Sequence, residues 1–384
     1  VKLYLLAGEP SGDRLGAALM KGLKRLEPGI EFRGVAGPEM QAQGMDSLFP
    51  MDELSVMGLT EVLPRYLHLK RRLRETAEDC LAWQPDALVS IDSPDFSLRL
   101  AGCVKAKSAI RTIHYVAPSV WAWRPGRAAK MAKHIDHVLA LLPFEPPYME
   151  AAGMTCDFVG HPVVAAPVAS GVEIGRFRRE SGIGDAPVIL VLPGSRRSEV
   201  GRLLPTFGAA LGPVLAKTPD ARVVVPAARP VADAVRAGTA DWPGKPLVID
   251  PREEGAEKRK RAAFAAADVA LAASGTVSLE LAANATPMVI AYDMSWLNWQ
   301  IVSRMARIDT VTLVNLVTGR RPVPEFLGPD CRPEAIATAL SQLLTDRKAR
   351  AAQIAAMAET MSKLGKDAEP PGMRAAKSVL KAIS

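Results

Sequence analysis

Short apolar runs alternate with stretches of helical period along almost the whole chain, and this alternation constrains the fold more than any other feature. Leu3 to Ala7 reads as a strand, and Leu15, Leu19, Leu23 and Leu26 then recur as one stripe of a helix. Further strand-like runs follow at Ala87–Ile91, Thr112–Val116, His137–Leu142 and Cys156–Val159. The rhythm then starts again at Val188–Leu192, Arg222–Val225, Leu247–Ile249, Val269–Ala272 and Met288–Ala291. Alternating β and α predicts an α/β protein built from two Rossmann-like, doubly wound parallel sheets facing a central cleft. Two prolines interrupt a weak pattern near residues 161–170, which places the division there. The expected organisation is an N-terminal domain over 1–165, a C-terminal domain over 166–346, and a helical tail over 347–384.

Composition excludes several alternatives. Of the 384 residues 48% are hydrophobic and 23% charged, which suits a globular chain and neither a disordered nor a coiled-coil one. The uncharged stretches are too short to span a bilayer. Val1 to Ala7 runs into a glycine turn without a secretory pattern, so a cytoplasmic protein is expected. Cys80, Cys103, Cys156 and Cys331 form no C-x-x-C pair, which fits free thiols better than disulfides or zinc. The formal net charge of +7 is local: residues 65–74 carry five cations and no acid, and the tail from Asp346 holds eight cations against four acids. This argues for one or two anionic contact patches, a membrane face among them, and against nucleic acid as a partner.

Six segments carry candidate chemistry. Gly8-Glu9-Pro10-Ser11-Gly12-Asp13 links the first strand to the first helix; it suits either a hydroxyl-rich or anionic ligand at a helix start, or a turn in which Ser11 or Asp13 caps the helix. Asp92 ends the strand Ala87–Ile91, where a carboxylate can take a proton from a hydroxyl or merely cap the next helix. Gly194, Ser195 and Arg196 repeat the strand–turn–helix arrangement with a guanidinium added, and Ser274, Gly275 and Thr276 do so again with Glu280 downstream. Two such turns with an acid beyond them point to a nucleoside diphosphate. His114 to Arg124 mixes aromatic residues with a cation, suited to a sugar, an acyl chain or a phosphate, or to the core. Finally, residues 60–74 combine Val62, Leu63, Tyr66, Leu67 and Leu69 with five cations, as in a helix lying in a lipid interface or an ordinary surface helix.

These motifs in this order resemble the lipid-A-disaccharide synthases, inverting glycosyltransferases of the GT-B type. The resemblance runs from AGEPSGD and VMGLTEVL through SIDSPDF, HYVAPSVWAWR, LPFE and VGHP to LPGSRRSEV, ASGTVSLE and LVNLVTGR. It implies transfer from UDP-2,3-diacylglucosamine to 2,3-diacylglucosamine 1-phosphate, giving a β-1,6-linked disaccharide 1-phosphate and UDP, with no metal or other cofactor. Asp92 then matches the family's general base. Gly194, Ser195, Arg196, Ser274, Gly275, Thr276, Glu280 and Asn315 fall on its UDP-binding and activity-linked positions. Ser11, Asp13, His114 and Arg124 are the acceptor-side candidates. The family also implies a peripheral protein on the cytoplasmic face of the inner membrane, contacting it through Val62, Leu63, Tyr66, Leu67 and Leu69, with the tail over 347–384 crossing back to the N-terminal domain, and it allows a C-terminally swapped homodimer. Two other readings stay open: an enzyme like UDP-N-acetylglucosamine 2-epimerase, and a non-enzymatic basic membrane-binding protein.

Overall fold

The computed structural model describes residues 1–54, 59–122, 126–294, 299–300 and 308–384, with residues 59–65 described by backbone alone. The chain divides into two compact units, Val1–Ala165 with Leu364–Ser384, and Ala166–Lys363. The first holds the strands β1 (Lys2–Ala7), β2 (Glu31–Val35), β3 (Ala87–Ile91), β4 (Arg111–Tyr115), β5 (His137–Ala140) and β6 (Thr155–Phe158). They form one parallel sheet in the order β2-β1-β3-β4-β5-β6. In the second unit, β7 (Val188–Leu192), β8 (Arg222–Pro226), β9 (Leu247–Ile249), β10 (Val269–Ala272), β11 (Met288–Tyr292) and β12 (Glu325–Leu327) make a parallel sheet in the order β12-β11-β10-β7-β8-β9.

Every residue of β3 and β7 is buried, as expected of central strands covered by helices on both faces. Strand order reverses between β1 and β3 in the first sheet and between β7 and β10 in the second. At such switch points the two adjoining helices leave on opposite faces and open a crevice at the carboxyl ends of the strands. Register makes these crevices local. Ala7 lies beside Ile91 and Leu192 beside Ala272, so the turns starting at Gly8 and Asp92 emerge side by side, as do those after Leu192 and Ala272.

The tail departs from the expectation of a single segment beginning at residue 347. The helix Arg347–Lys363 belongs to the second unit, held there by buried Ala356, Met357 and Met361 and by Gln353, whose amide donates to the carbonyls of Met288 (3.1 Å) and Pro322 (3.2 Å). Only residues from Leu364 onward join the first unit. There the helix Pro371–Ile383 lies against the helix Pro10–Leu26 with almost no space between the backbones. A Cβ on Gly22 would stand 2.7 Å from the Gly372 carbonyl oxygen, and one on Gly372 would stand 2.6 Å from that of Ala18. Gly372→Ala therefore forces two helix backbones apart, an overpacking cost of about 1–3 kcal/mol. Thermal denaturation should show a clear loss, and an unchanged midpoint would contradict this packing.

Candidate functional site

At the first switch point the chain leaves β3 through two successive left-handed residues, Asp92 at φ +54° and Ser93 at φ +44°. The turn is pinned: the Asp92 N–H donates to the Tyr115 carbonyl (3.0 Å), and the Ser97 hydroxyl donates to the Asp92 carbonyl (2.8 Å). The half-buried Asp92 carboxylate accepts from the Ser11 hydroxyl (3.2 Å) and from the Ser93 N–H (3.0 Å), and no basic side chain among the described residues pairs with it. Beside it, burial and then the Asp92 charge push the Glu9 carboxyl above its usual range. Strand β4 is followed by a similarly strained residue, Val116 at φ +90°, a costly conformation for a β-branched side chain. Asp92, His114, Val116, Ser119, Arg127 and Met131 are among the residues lining one cavity of about 190 Å³. Backbone strain of this kind, gathered around a cavity, marks a site whose geometry the surrounding fold imposes.

The other acceptor-side candidates fare differently. His114 is 2% exposed, within 2.8 Å of the Ser90 hydroxyl through Nδ1, and burial pulls its pKa down to about 4, so it faces the cavity as a neutral imidazole. Asp13 corrects the expectation of a ligand-binding acid. It is buried, and its carboxylate accepts from the backbone N–H groups of Gly37 (3.0 Å), Glu39 (2.8 Å) and Met40 (3.0 Å), which makes it the anchor of the 37–40 turn. Arg124 lies outside the described residues.

Just beyond the cavity-lining run Ala117–Ser119, Trp121 of the aromatic segment meets a carboxylate that the sequence reading did not single out, Glu145. Trp121, edge-on to Phe144 at 5.1 Å, donates from Nε1 to Glu145 Oε1 (3.3 Å). The other Glu145 oxygen accepts from the N–H groups of Leu141 (3.1 Å) and Leu142 (2.9 Å). Burial pushes the Glu145 carboxyl up to about 7. No periodicity marks either interaction, and only the proximity of LPFE to the aromatic segment in an α/β order hints at it.

At the second switch point, Gly194 has φ +107°, and a Cβ there would meet Glu199 Oε2 at 2.7 Å. That carboxylate oxygen accepts from the N–H groups of Ser195 and Arg196, both at 3.3 Å, at the start of the helix Arg197–Lys217. The other oxygen meets Arg196 Nη1 at 3.2 Å and accepts from the Tyr292 hydroxyl at 3.4 Å. Glu199 thus gathers the groups suited to a diphosphate: two amides, a guanidinium that is otherwise 70% exposed, and a phenol. Its position three residues after Arg196 is the spacing of a capping box, the sequence signal that could have drawn attention to it.

The turn after β10 leaves Gly275 and Thr276 exposed and Ser274 half-buried, with the Ser278 hydroxyl bound to the Gly275 carbonyl (3.0 Å). Glu280 is half-exposed, 3.8 Å from Lys260 Nζ. Asn315, expected among the nucleotide-binding residues, is enclosed instead. It is fully buried, donating to Thr310 Oγ1 (3.2 Å) and the Val323 carbonyl (3.0 Å) and accepting from the Val323 N–H (3.0 Å). An amide with three of its four hydrogen-bonding positions filled inside the fold shapes the 310–323 loop instead of presenting itself to solvent.

On the helix Leu59–Trp83, Tyr66 is 49% and Leu67 78% exposed, whereas Leu69 is half-buried. The side chains of Val62 and Leu63 lie outside the described residues. Of the helix's cations, Arg72 turns inward to pair with Glu53 and Glu75 and to stack on Phe49 (4.4 Å). Lys70, Arg71 and Arg74 remain at the surface beside Leu67. Among the described residues no helix is long and apolar enough to cross a membrane, and no three His, Cys, Asp or Glu side chains gather as a metal site.

Comparison with known proteins bears on the fold and on the family. Solved structures share the fold at low identity: the UDP-GlcNAc 2-epimerase of Neisseria meningitidis bound to UDP-GlcNAc (TM-score 0.63, 12% identity, covering 99% of this chain and 99% of that one) and S. aureus MnaA in a co-structure with UDP (TM-score 0.63, 12%, 99% and 94%). Sequence relatives are far nearer. The lipid-A-disaccharide synthase of Ruegeria pomeroyi is 63% identical over 383 residues, covering 99% of this chain and 95% of its own length. That of Rhodospirillum centenum is 48% identical over 388 residues, covering 100% and 94%. The family model described as lipid-A-disaccharide synthetase matches residues 3–379. With two switch-point crevices in a GT-B architecture and this likeness over nearly its full length, the chain belongs to the lipid-A-disaccharide synthase family.

Proposed function

We propose that this chain transfers the diacylglucosaminyl group of UDP-2,3-diacylglucosamine to the 6-hydroxyl of 2,3-diacylglucosamine 1-phosphate, releasing UDP. The observation that carries the reading is the placement of Asp92 at the first switch point, free of any basic partner among the described residues and held by Ser11 and its own turn. An ionised carboxylate so placed can accept the hydroxyl proton as the oxygen attacks the donor's anomeric carbon. The bond between the acceptor's 6-oxygen and that carbon forms from the face opposite the diphosphate, the carbon–oxygen bond to UDP breaks, and UDP leaves with the electron pair. In the second unit the diphosphate oxygens replace the Glu199 carboxylate on the Ser195 and Arg196 amides, with Arg196 and the Ser274–Thr276 turn completing the cradle. Glu280 accepts from the ribose. Asn315 acts indirectly, by fixing the 310–323 loop.

Both substrates carry acyl chains, and the exposed Tyr66 and Leu67 beside surface cations support contact with the cytoplasmic face of the inner membrane. Leu67→Asp should lower binding to anionic phospholipid vesicles roughly 10-fold while leaving turnover in detergent unchanged. Equal vesicle binding by the variant would remove this helix from the membrane contact. The reaction itself is tested by incubating the protein with both acylated substrates in detergent and following UDP together with the disaccharide. Epimerisation of water-soluble UDP-N-acetylglucosamine without acceptor, in place of disaccharide formation, would favour the epimerase reading.

A further inference from the structure

The cavity beside Asp92 contains a guanidinium that no described residue binds. Arg127 lies on the short helix Gly126–Met131, whose neighbouring residues Ala128 and Met131 are buried at 5% and 1% exposure, so the base of its side chain is fixed in the core. Two other half-buried arginines of this unit are tied down, Arg72 by Glu53 and Glu75 and Arg374 by the Phe158 carbonyl (2.7 Å). No carboxylate, carbonyl or aromatic ring among the described residues does the same for Arg127. A half-buried guanidinium is strongly favoured to meet an anion or acceptor oxygens, because its desolvation is otherwise uncompensated.

The rest of the lining says what kind of anion. Arg127 is the one cation among the described residues that line the cavity, since the buried His114 imidazole is neutral there. Asp92 supplies the one carboxylate, Ser119 a hydroxyl, and Leu98 and Met131 apolar wall. A carboxylate and a free guanidinium sharing a space of about 190 Å³ suit a ligand with a hydroxyl and an anionic oxygen cluster on one small ring. A sugar phosphate has that chemistry, whereas a neutral sugar would leave Arg127 unmet.

We infer that Arg127 binds the phosphate of the acceptor sugar in the cavity it shares with Asp92, and thereby turns the acceptor so that its hydroxyl faces the carboxylate. The inference rests on the acceptor reading of the first unit given above. Guanidinium is the side chain best matched to phosphate, holding two oxygens at once, so it fixes direction as well as affinity.

The test compares 2,3-diacylglucosamine 1-phosphate with 2,3-diacylglucosamine lacking the phosphate, in detergent, for wild type, Arg127→Ala and Arg127→Lys. Arg127→Ala should raise KM for the phosphorylated acceptor roughly 10- to 100-fold and leave KM for the UDP-sugar unchanged. It should bring the two acceptors to the same KM, and Arg127→Lys should recover much of the difference. Equal losses on both acceptors, or no loss on either, would overturn the inference. Ligand-induced thermal shifts with the same two acceptors separate this from the reaction itself. A wild-type protein that forms no disaccharide would refute the proposed reaction, while a phosphate-dependent shift abolished in Arg127→Ala would still support the binding site and its absence would refute it.

Discussion

Asp92→Asn should lower kcat roughly 10²- to 10⁴-fold, the range lost when a positioned base is removed, with UDP affinity unchanged. Asparagine is the informative replacement for two structural reasons. Position 92 has φ +54°, a left-handed conformation that asparagine adopts readily and alanine does not. Its amide oxygen can also keep the Ser93 N–H bond, so the turn and the Tyr115 contact survive and only basicity is lost. With UDP held by the second unit as proposed, calorimetric titration with UDP should not distinguish variant from wild type. Turnover within threefold of wild type would show that another group takes the proton. The neighbouring Glu9, whose carboxyl is already pushed up by burial and by the Asp92 charge, is then the residue to replace next.

The strands legible in the sequence were those buried on both faces, because continuous apolar runs such as Val188–Leu192 have little other explanation. Strand β2 escaped notice because it is an edge strand reading Glu-Phe-Arg-Gly-Val, with its first and third side chains exposed. Strand β12 has only three residues, too short for any period. The motifs pointed to both switch points because glycines after strands are visible as spacing. What each polar residue does there was not visible. Asp13 and Asn315 stand in the same kind of motif as Ser11 and Arg196, yet three backbone amides hold the first and a buried loop encloses the second. Sequence reports a side chain's chemistry, whereas its availability depends on what the fold packs around it. Arg127 is the converse case, an arginine unremarkable in its segment that lines the cavity with no partner among the described residues.

Glu145 gives the first unit a pH dependence whose sign follows from its burial. An unfolded glutamate titrates near its ordinary value of 4.5, while in the folded chain burial raises it to about 7, against the opposing effect of the Leu141, Leu142 and Trp121 donors. Below about pH 4.5 the group is neutral in both states and its folded environment is fully tolerated. As pH rises from there the unfolded chain ionises freely and the folded one resists, so stability is lost progressively until pH passes about 7. The loss across that window is on the order of 3 kcal/mol. Glu145→Gln should remove the slope. Its stability relative to wild type, measured by denaturant midpoints at matched pH, should rise by about that amount between pH 4.5 and 8. A difference that stays flat over this range would mean that water or a neighbouring cation meets the carboxylate. The consequence reaches the site, because Glu145 holds Trp121 in the segment that carries Ala117 to Ser119 along the cavity wall. Glutamine keeps an oxygen for the two backbone amides but turns a donor toward the Trp121 N–H, so the variant should loosen that wall at every pH and raise KM for the acceptor while sparing that for the UDP-sugar.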